Sequence, residues 1–165
     1  MAQKDFFSLL NQPRQFAVDS LSLEKAKNTL LARLHPDRFV NASALEKRLA
    51  EQMSVRVNEA YQTLADDLKR ARYLCELQGL DVNAHRPMPA DFLMKQMQWH
   101  EMLEAAKATH DERTREALKQ RVLEEKQVLF ASLKEAFDVK GDYGEAFDLT
   151  RKLMFITKLL TEISF

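Results

Sequence analysis

Three glycines and four prolines are all that punctuate this 165-residue chain, and the prolines stand at 13, 36, 87 and 89. A sheet protein needs turn chemistry between every pair of strands. Helices need breakers only at their ends. The chain is therefore expected to be all-α. A hydrophobic fraction of 45% suffices for a packed core, and a charged fraction of 30% suits solvated helical surfaces.

Apolar periodicity places the helices. Phe6, Phe7, Leu9 and Leu10 open a short helix that breaks near Asn11-Gln12-Pro13. A second runs from about Ser22 to Leu34, with Leu23, Ala26, Leu30 and Leu34 on one face. Pro36 stops it, because proline inside a helix costs about 3 kcal/mol and disfavours helical geometry at the preceding residue. The next helix opens on Ser43-Ala44-Leu45-Glu46, the pattern of a capping box. From there Leu49, Met53, Val57, Ala60 and Leu64 form one expected core stripe. Two such helices joined by a short loop pack as an antiparallel hairpin. A further helix, about Leu68 to Leu77, ends at Gln78-Gly79, where glycine suits a left-handed cap.

Asn83, Pro87 and Pro89 then break the pattern, so residues 80–90 read as a linker between modules 1–79 and 91–165. Beyond it, three helices are predicted at about Asp91–Thr109, Asp111–Asp138 and Gly144–Ile163. Together they make a small bundle.

Several function classes are excluded early. Lys plus Arg equals Asp plus Glu at 25 each, so no net charge draws the chain to nucleic acid or to an anionic membrane. Cys75 is the single cysteine, which excludes an internal disulfide and a cysteine-cluster metal site. Met1-Ala2-Gln3-Lys4-Asp5 lacks a secretory signal, and no apolar run approaches the roughly 20 residues of a membrane span. A reducing cytoplasm is the expected compartment. No cofactor site is legible.

His35-Pro36-Asp37 is the feature with chemistry to explain. By chance such a triplet occurs in roughly one chain of this length in a hundred, so the string alone decides little. An enzyme using His35 and Asp37 lacks a third orienting group, a nucleophile or a phosphate loop. His85, His100 and His110 are scattered, and no metal site follows from them. Taken alone, the triplet reads first as a helix-capping turn with an incidental histidine. Its position, in the one short loop between two amphipathic helices, is what raises it above that.

The stretch from Phe6 to about Leu77 resembles a J domain. The resemblance rests on Asp5-Phe6-Phe7-Ser8-Leu9-Leu10, on Leu34-His35-Pro36-Asp37-Arg38-Phe39, and on Val57-Asn58-Glu59-Ala60-Tyr61-Gln62-Thr63-Leu64. It implies docking on a DnaK-type chaperone, with His35, Pro36 and Asp37 accelerating ATP hydrolysis in that partner. This chain itself would not be an enzyme. A proline-fixed turn loses little conformational freedom on binding. Lys25, Arg33 and Arg38 are the cations placed to meet an acidic surface, whereas Lys27 projects near the apolar stripe and is expected to snorkel.

The second half is similar to the tail of the HscB family of J-type co-chaperones. Phe92-Leu93-Met94-Lys95-Gln96-Met97 and Arg151-Lys152-Leu153-Met154-Phe155 carry that likeness. Neither a Gly/Phe-rich segment nor a cysteine-rich module follows the J-like part, and no cysteine-rich extension precedes it, which favours a bacterial-type form. On the first tail helix, Phe92, Trp99, Leu103 and Ala106 make the core stripe, while Leu93, Met94 and Met97 lie on the far side with Glu101. On the last helix the expected stripe is Leu149, Leu153, Ile156, Leu160 and Ile163, with Phe155 pointing elsewhere. A second apolar face suggests a surface for a partner, and methionine adapts well to one. The resemblance assigns to Leu93, Met94, Met97, Gln98, Glu101 and Phe155 the docking of an IscU-type iron–sulfur scaffold, with an HscA-like chaperone as the second partner. Two rivals stay open: a J protein serving other unfolded clients, and a structural helical protein assembling through its methionine-rich face.

Overall fold

The structure is a computed structural model that describes residues 4–84 and 86–164. Met1–Gln3, which begin the stretch read as free of a secretory signal, lie outside the described residues, as does His85. The described residues form seven α-helices and no strand. The chain divides into two compact units, Met1–Gln78 and Gly79–Phe165.

In the first unit, α1 spans Phe6–Leu9, α2 Ser20–Arg33, α3 Ala44–Ala65 and α4 Asp67–Leu77. The α2 helix starts two residues earlier than its apolar pattern, because the Asp19 side chain accepts from the Leu21 and Ser22 N–H groups. Ser43 caps α3 by accepting the Glu46 N–H at 3.1 Å. The Glu46 carboxylate accepts from the Ser43 hydroxyl at 3.2 Å, so the capping box closes side chain to side chain. At the end of α4, Gly79 takes a φ of +75°, which only glycine adopts at no steric cost.

The α2–α3 hairpin buries Leu23, Val57, Ala60 and Leu64, joined by Phe6, Phe7, Leu10, Phe16, Ala71, Leu74 and Cys75 from the flanking segments. The expected stripe on α3 fails at its start: Leu49 and Met53 are exposed, and Ala50 is buried instead. Length explains the difference. The 14 residues of α2 span about 21 Å and the 22 of α3 about 33 Å, so α2 leaves part of its longer neighbour uncovered.

In the second unit, α5 spans Ala90–Ala108, α6 Glu112–Lys134 and α7 Tyr143–Ser164. The α6 helix widens into a π-helical stretch, Glu135–Lys140, ended by Gly141 at φ +61°. Asp142 then accepts the Glu145 N–H at 3.1 Å and starts α7. Phe92, Trp99, Leu103 and Ala106 of α5 are buried as a single stripe. On α7 the buried set is Ala146, Phe147, Thr150, Leu153, Ile156, Leu159 and Ile163, and Leu149 and Leu160 lie at its flanks, half-buried. Small Ala146 and Thr150 let α7 turn toward its neighbours; the Thr150 hydroxyl donates to the Ala146 carbonyl at 2.7 Å and so enters the core satisfied.

Part of the segment read as linker is built onto the second unit. Val82 is buried. Arg86 stacks over the Phe147 ring at 5.2 Å and approaches Asp148 at 3.6 Å, while Arg151 donates to the Arg86 carbonyl.

Candidate functional site: an exposed tripeptide turn and a second apolar face

The end of α2 at Arg33 leaves Leu34 to close the helix, its N–H reaching back to the Leu30 and Leu31 carbonyls. His35 is extended (φ −59°, ψ 137°), as the residue before a proline must be. Pro36 then opens a 3-10 turn, Pro36–Phe39, held by the Arg38 N–H on the His35 carbonyl at 2.9 Å. Within the turn, His35 Nδ1 accepts the Asp37 N–H at 3.2 Å. That bond places the proton of the neutral ring on Nε2. The Asp37 carboxylate stands 3.6 Å from the same Nδ1, an ion pair only when the imidazole is protonated. Neither side chain is held by the body of the protein: they are 61% and 90% exposed. The turn thus fixes the backbone of a histidine and an acid while leaving both side chains to solvent.

The cations divide. Lys25 and Arg33 sit eight residues apart on α2 and share the wall of a shallow groove with Leu9 and Leu30. Arg38 lies exposed on the 3-10 turn and is not part of that wall. Lys25, Arg33 and Arg38 form no ion pair among the described residues. Lys27 does not join them. Its ammonium rests 4.1 Å over the Tyr61 ring, where it fastens α2 to α3.

In the second unit, Leu93, Met94 and Met97 are 44%, 62% and 64% exposed on the side of α5 opposite its buried stripe. Gln98 and Glu101 are exposed beside them. Phe155 arrives from α7. Its ring packs edge-on against Phe92, centroids 5.9 Å apart, which brings it next to the start of that face. It is half-buried, so its role is shared between the core and the surface. Lys152, which sequence reasoning did not single out, places its ammonium 5.4 Å over the Phe92 ring at the same edge. The signal for it was its position, three residues before Phe155 on one helix.

No helix among the described residues is long and apolar enough to cross a membrane. No group of three His, Cys, Asp or Glu side chains that could hold a metal ion occurs among them.

A helical hairpin carrying His-Pro-Asp in its loop, followed by a three-helix unit, defines a J-type co-chaperone in two modules. Residues 88–164 match the family described as HSCB C-terminal oligomerisation domain. The chain is 45% identical to the co-chaperone protein HscB homolog of Bordetella avium, over 99% of this chain and 98% of that one. The HscB homolog of Azoarcus is 41% identical, over 98% of this chain and 92% of the other. Among solved structures, chaperone HscB from Vibrio cholerae superposes with a TM-score of 0.82 at 35% identity, covering 98% of this chain and 96% of that one. Human co-chaperone HscB gives 0.89 at 28% identity, covering 99% and 82%. The chain belongs to the HscB family of co-chaperones, with an N-terminal J domain and a C-terminal helical domain.

Proposed function

We propose that the J domain stimulates the ATPase of a specialised DnaK-type, HscA-like chaperone, while the tail bundle presents an IscU-like iron–sulfur scaffold to it. In this reading residues 1–79 are the J module, 80–90 the linker and 91–165 the scaffold-binding module. The protein acts in the cytoplasm, without a cofactor of its own, and makes or breaks no bond itself. The observation that carries the reading is the presentation of His35 and Asp37: a proline-fixed turn with both side chains exposed, in a chain related over its full length to co-chaperones.

The chemistry asked of the turn is recognition. A rigid turn loses little entropy when docked, and the neutral imidazole offers a donor at Nε2 beside the Asp37 acceptor. Lys25, Arg33 and Arg38 add positive charge around it, which speeds encounter with an acidic surface more than it deepens affinity. On the tail, Leu93, Met94, Met97 and Phe155 supply apolar contact, and Gln98 and Glu101 supply the polar rim.

His35→Gln tests the reading directly. Gln keeps a polar side chain but loses the ring that braces the Asp37 N–H. Chaperone ATPase stimulation is expected to vanish, with helicity by circular dichroism and scaffold affinity by calorimetry both unchanged. Stimulation that survives the substitution removes the assignment.

A further inference from the structure

Two residues of the tripeptide, Pro36 and Asp37, also line a cavity. Between the 3-10 turn and the first half of α3 lies a hollow of about 680 Å3, bounded by Leu34, Pro36, Phe39, Val40, Ala50 and Ser54. Ligand pockets fall at about 300–1,000 Å3, and a water takes about 30 Å3, so this space is of side-chain size or larger.

Three features of the sequence keep it open and much of its wall apolar. The α2 helix ends at Arg33 and does not reach across the start of α3. Of the four α3 residues that line the hollow, Ala50 and Ser54 are small and one helical turn apart. The Ser54 hydroxyl donates to the Ala50 carbonyl at 3.0 Å, so its only donor is committed within its own helix. Val40, on the opposite wall, is 66% exposed although it is an aliphatic side chain. Charged groups stand only among the remaining lining residues: Asp37, Lys47 and Glu51.

We propose that this cavity receives an apolar side chain of the ATP-hydrolysing chaperone engaged by the tripeptide, and sets affinity for that partner; the inference rests on the function proposed above. The occupant follows from continuity. Pro36 and Asp37 belong to the tripeptide and line the cavity as well. A protein seated on Asp37 therefore touches the lining of the cavity. Apolar side chains lined up with a few charged ones also suit an interface hot spot, where one inserted side chain is shielded by polar neighbours. The tripeptide acts on the rate of hydrolysis; the cavity holds the partner in place.

The two roles separate in a titration of the full-length chain against a DnaK-type chaperone, read as ATPase stimulation. Ser54→Phe fills the hollow, and Val40→Ser removes apolar wall at a position too exposed to threaten folding. Each is expected to raise the half-maximal concentration about ten-fold, as losing the burial of one aliphatic side chain implies, with the maximal rate unchanged. Should Ser54→Phe lose its helical spectrum, Val40→Ser decides alone. Wild-type half-maximal concentrations in the folded variants overturn the cavity, and leave the co-chaperone reading standing if His35→Gln still abolishes stimulation. A wild-type chain that stimulates nothing overturns both. The Val40 methyl resonances report the occupant: they are expected to shift on adding ATP-loaded chaperone. Shifts produced by concentrating the chain alone identify a second copy in the cavity and overturn the proposal.

Discussion

At Arg70 a full charge enters the interior of the J domain. The side chain is almost wholly buried; Nε donates to the Phe16 carbonyl at 2.6 Å and one terminal nitrogen to the Leu64 carbonyl at 2.7 Å. The other terminal nitrogen holds Asp67 at 2.8 Å, and the guanidinium stacks over the Phe16 ring at 4.8 Å. Leu64 lies in the last turn of α3, where carbonyls lack helical partners, and Phe16 lies in the irregular stretch before α2. One planar fork thus ties three segments together. Arg70→Met is expected to cost about 2–6 kcal/mol, because two carbonyls of buried residues lose their donors at about 1–3 kcal/mol each. A fall in the urea midpoint with helicity preserved before the transition checks this; an unmoved midpoint means solvent replaces the fork. The sequence held a signal for Arg70: it falls with Ala71, Leu74 and Cys75 on one helical face. A charge on a core face demands buried partners, but periodicity cannot say which carbonyls lie across from it.

At the scale of elements, four residues of α1 cannot hold a helix by themselves, since nucleation outweighs so few hydrogen bonds. Tertiary contacts hold it. The Tyr73 hydroxyl accepts the Phe6 N–H at 2.9 Å, and its ring stacks on Phe6 and Phe7 at 4.8 and 5.8 Å. Burial pushes the Tyr73 phenol up, so it stays neutral as an acceptor through the ordinary pH range. The Arg56 guanidinium also lies over the Phe6 ring, 5.0 Å from its centroid, and donates to the Lys4 carbonyl. Asp5 caps the helix by accepting the Ser8 N–H at 2.8 Å and pairs with Arg14. Burial alone would raise the Asp5 carboxyl, but the Ser8 N–H and the Arg14 guanidinium outweigh it and hold the group below its ordinary value. A carboxyl lowered on folding stabilises fully above its unfolded pKa of about 3.9, and that stability is lost as pH falls through the folded value. Asp5→Ala is accordingly expected to lose about 1 kcal/mol at pH 7. Its deficit against wild type narrows below about pH 4, and denaturant titrations at pH 7 and pH 3 measure the gap. Periodicity located this helix and every later one within a few residues. It misplaced buried faces where neighbours differ in length, as at Leu49 and Met53, or where a satisfied hydroxyl such as Thr150 enters a core.

At the scale of the whole molecule, each module has a core of its own, and the linker is not a free tether: Arg86 is fastened to Phe147, Asp148 and Arg151 of α7. The tripeptide was legible from sequence because its string and its place between two helices coincide. The cavity beside it was not, because a hollow made by the small side chains Ala50 and Ser54 leaves no periodic mark. The tail face was half legible: α5 shows two apolar sides, but only packing shows Phe155 meeting Phe92 beside Leu93. Two modules in one chain have a thermodynamic use when one client touches both proteins. A scaffold bound to the tail and also to the chaperone raises the affinity of each for the other, by the reciprocity of linked binding. The triple variant Leu93→Ala, Met97→Ala, Phe155→Ala isolates that term. Truncating two exposed anchors and one half-buried one is expected to weaken scaffold binding at least ten-fold, about 1.4 kcal/mol or more, in calorimetry. Stimulation of the chaperone without scaffold is expected to stay at the wild-type level, since the J domain is untouched. The added stimulation that scaffold brings is expected to fall with the lost affinity. Wild-type scaffold affinity in the triple variant, with the bundle folded, removes the docking role from this face. A loss of basal stimulation along with affinity instead shows that the tail acts on the chaperone directly, and that coupling through the client is not the mechanism.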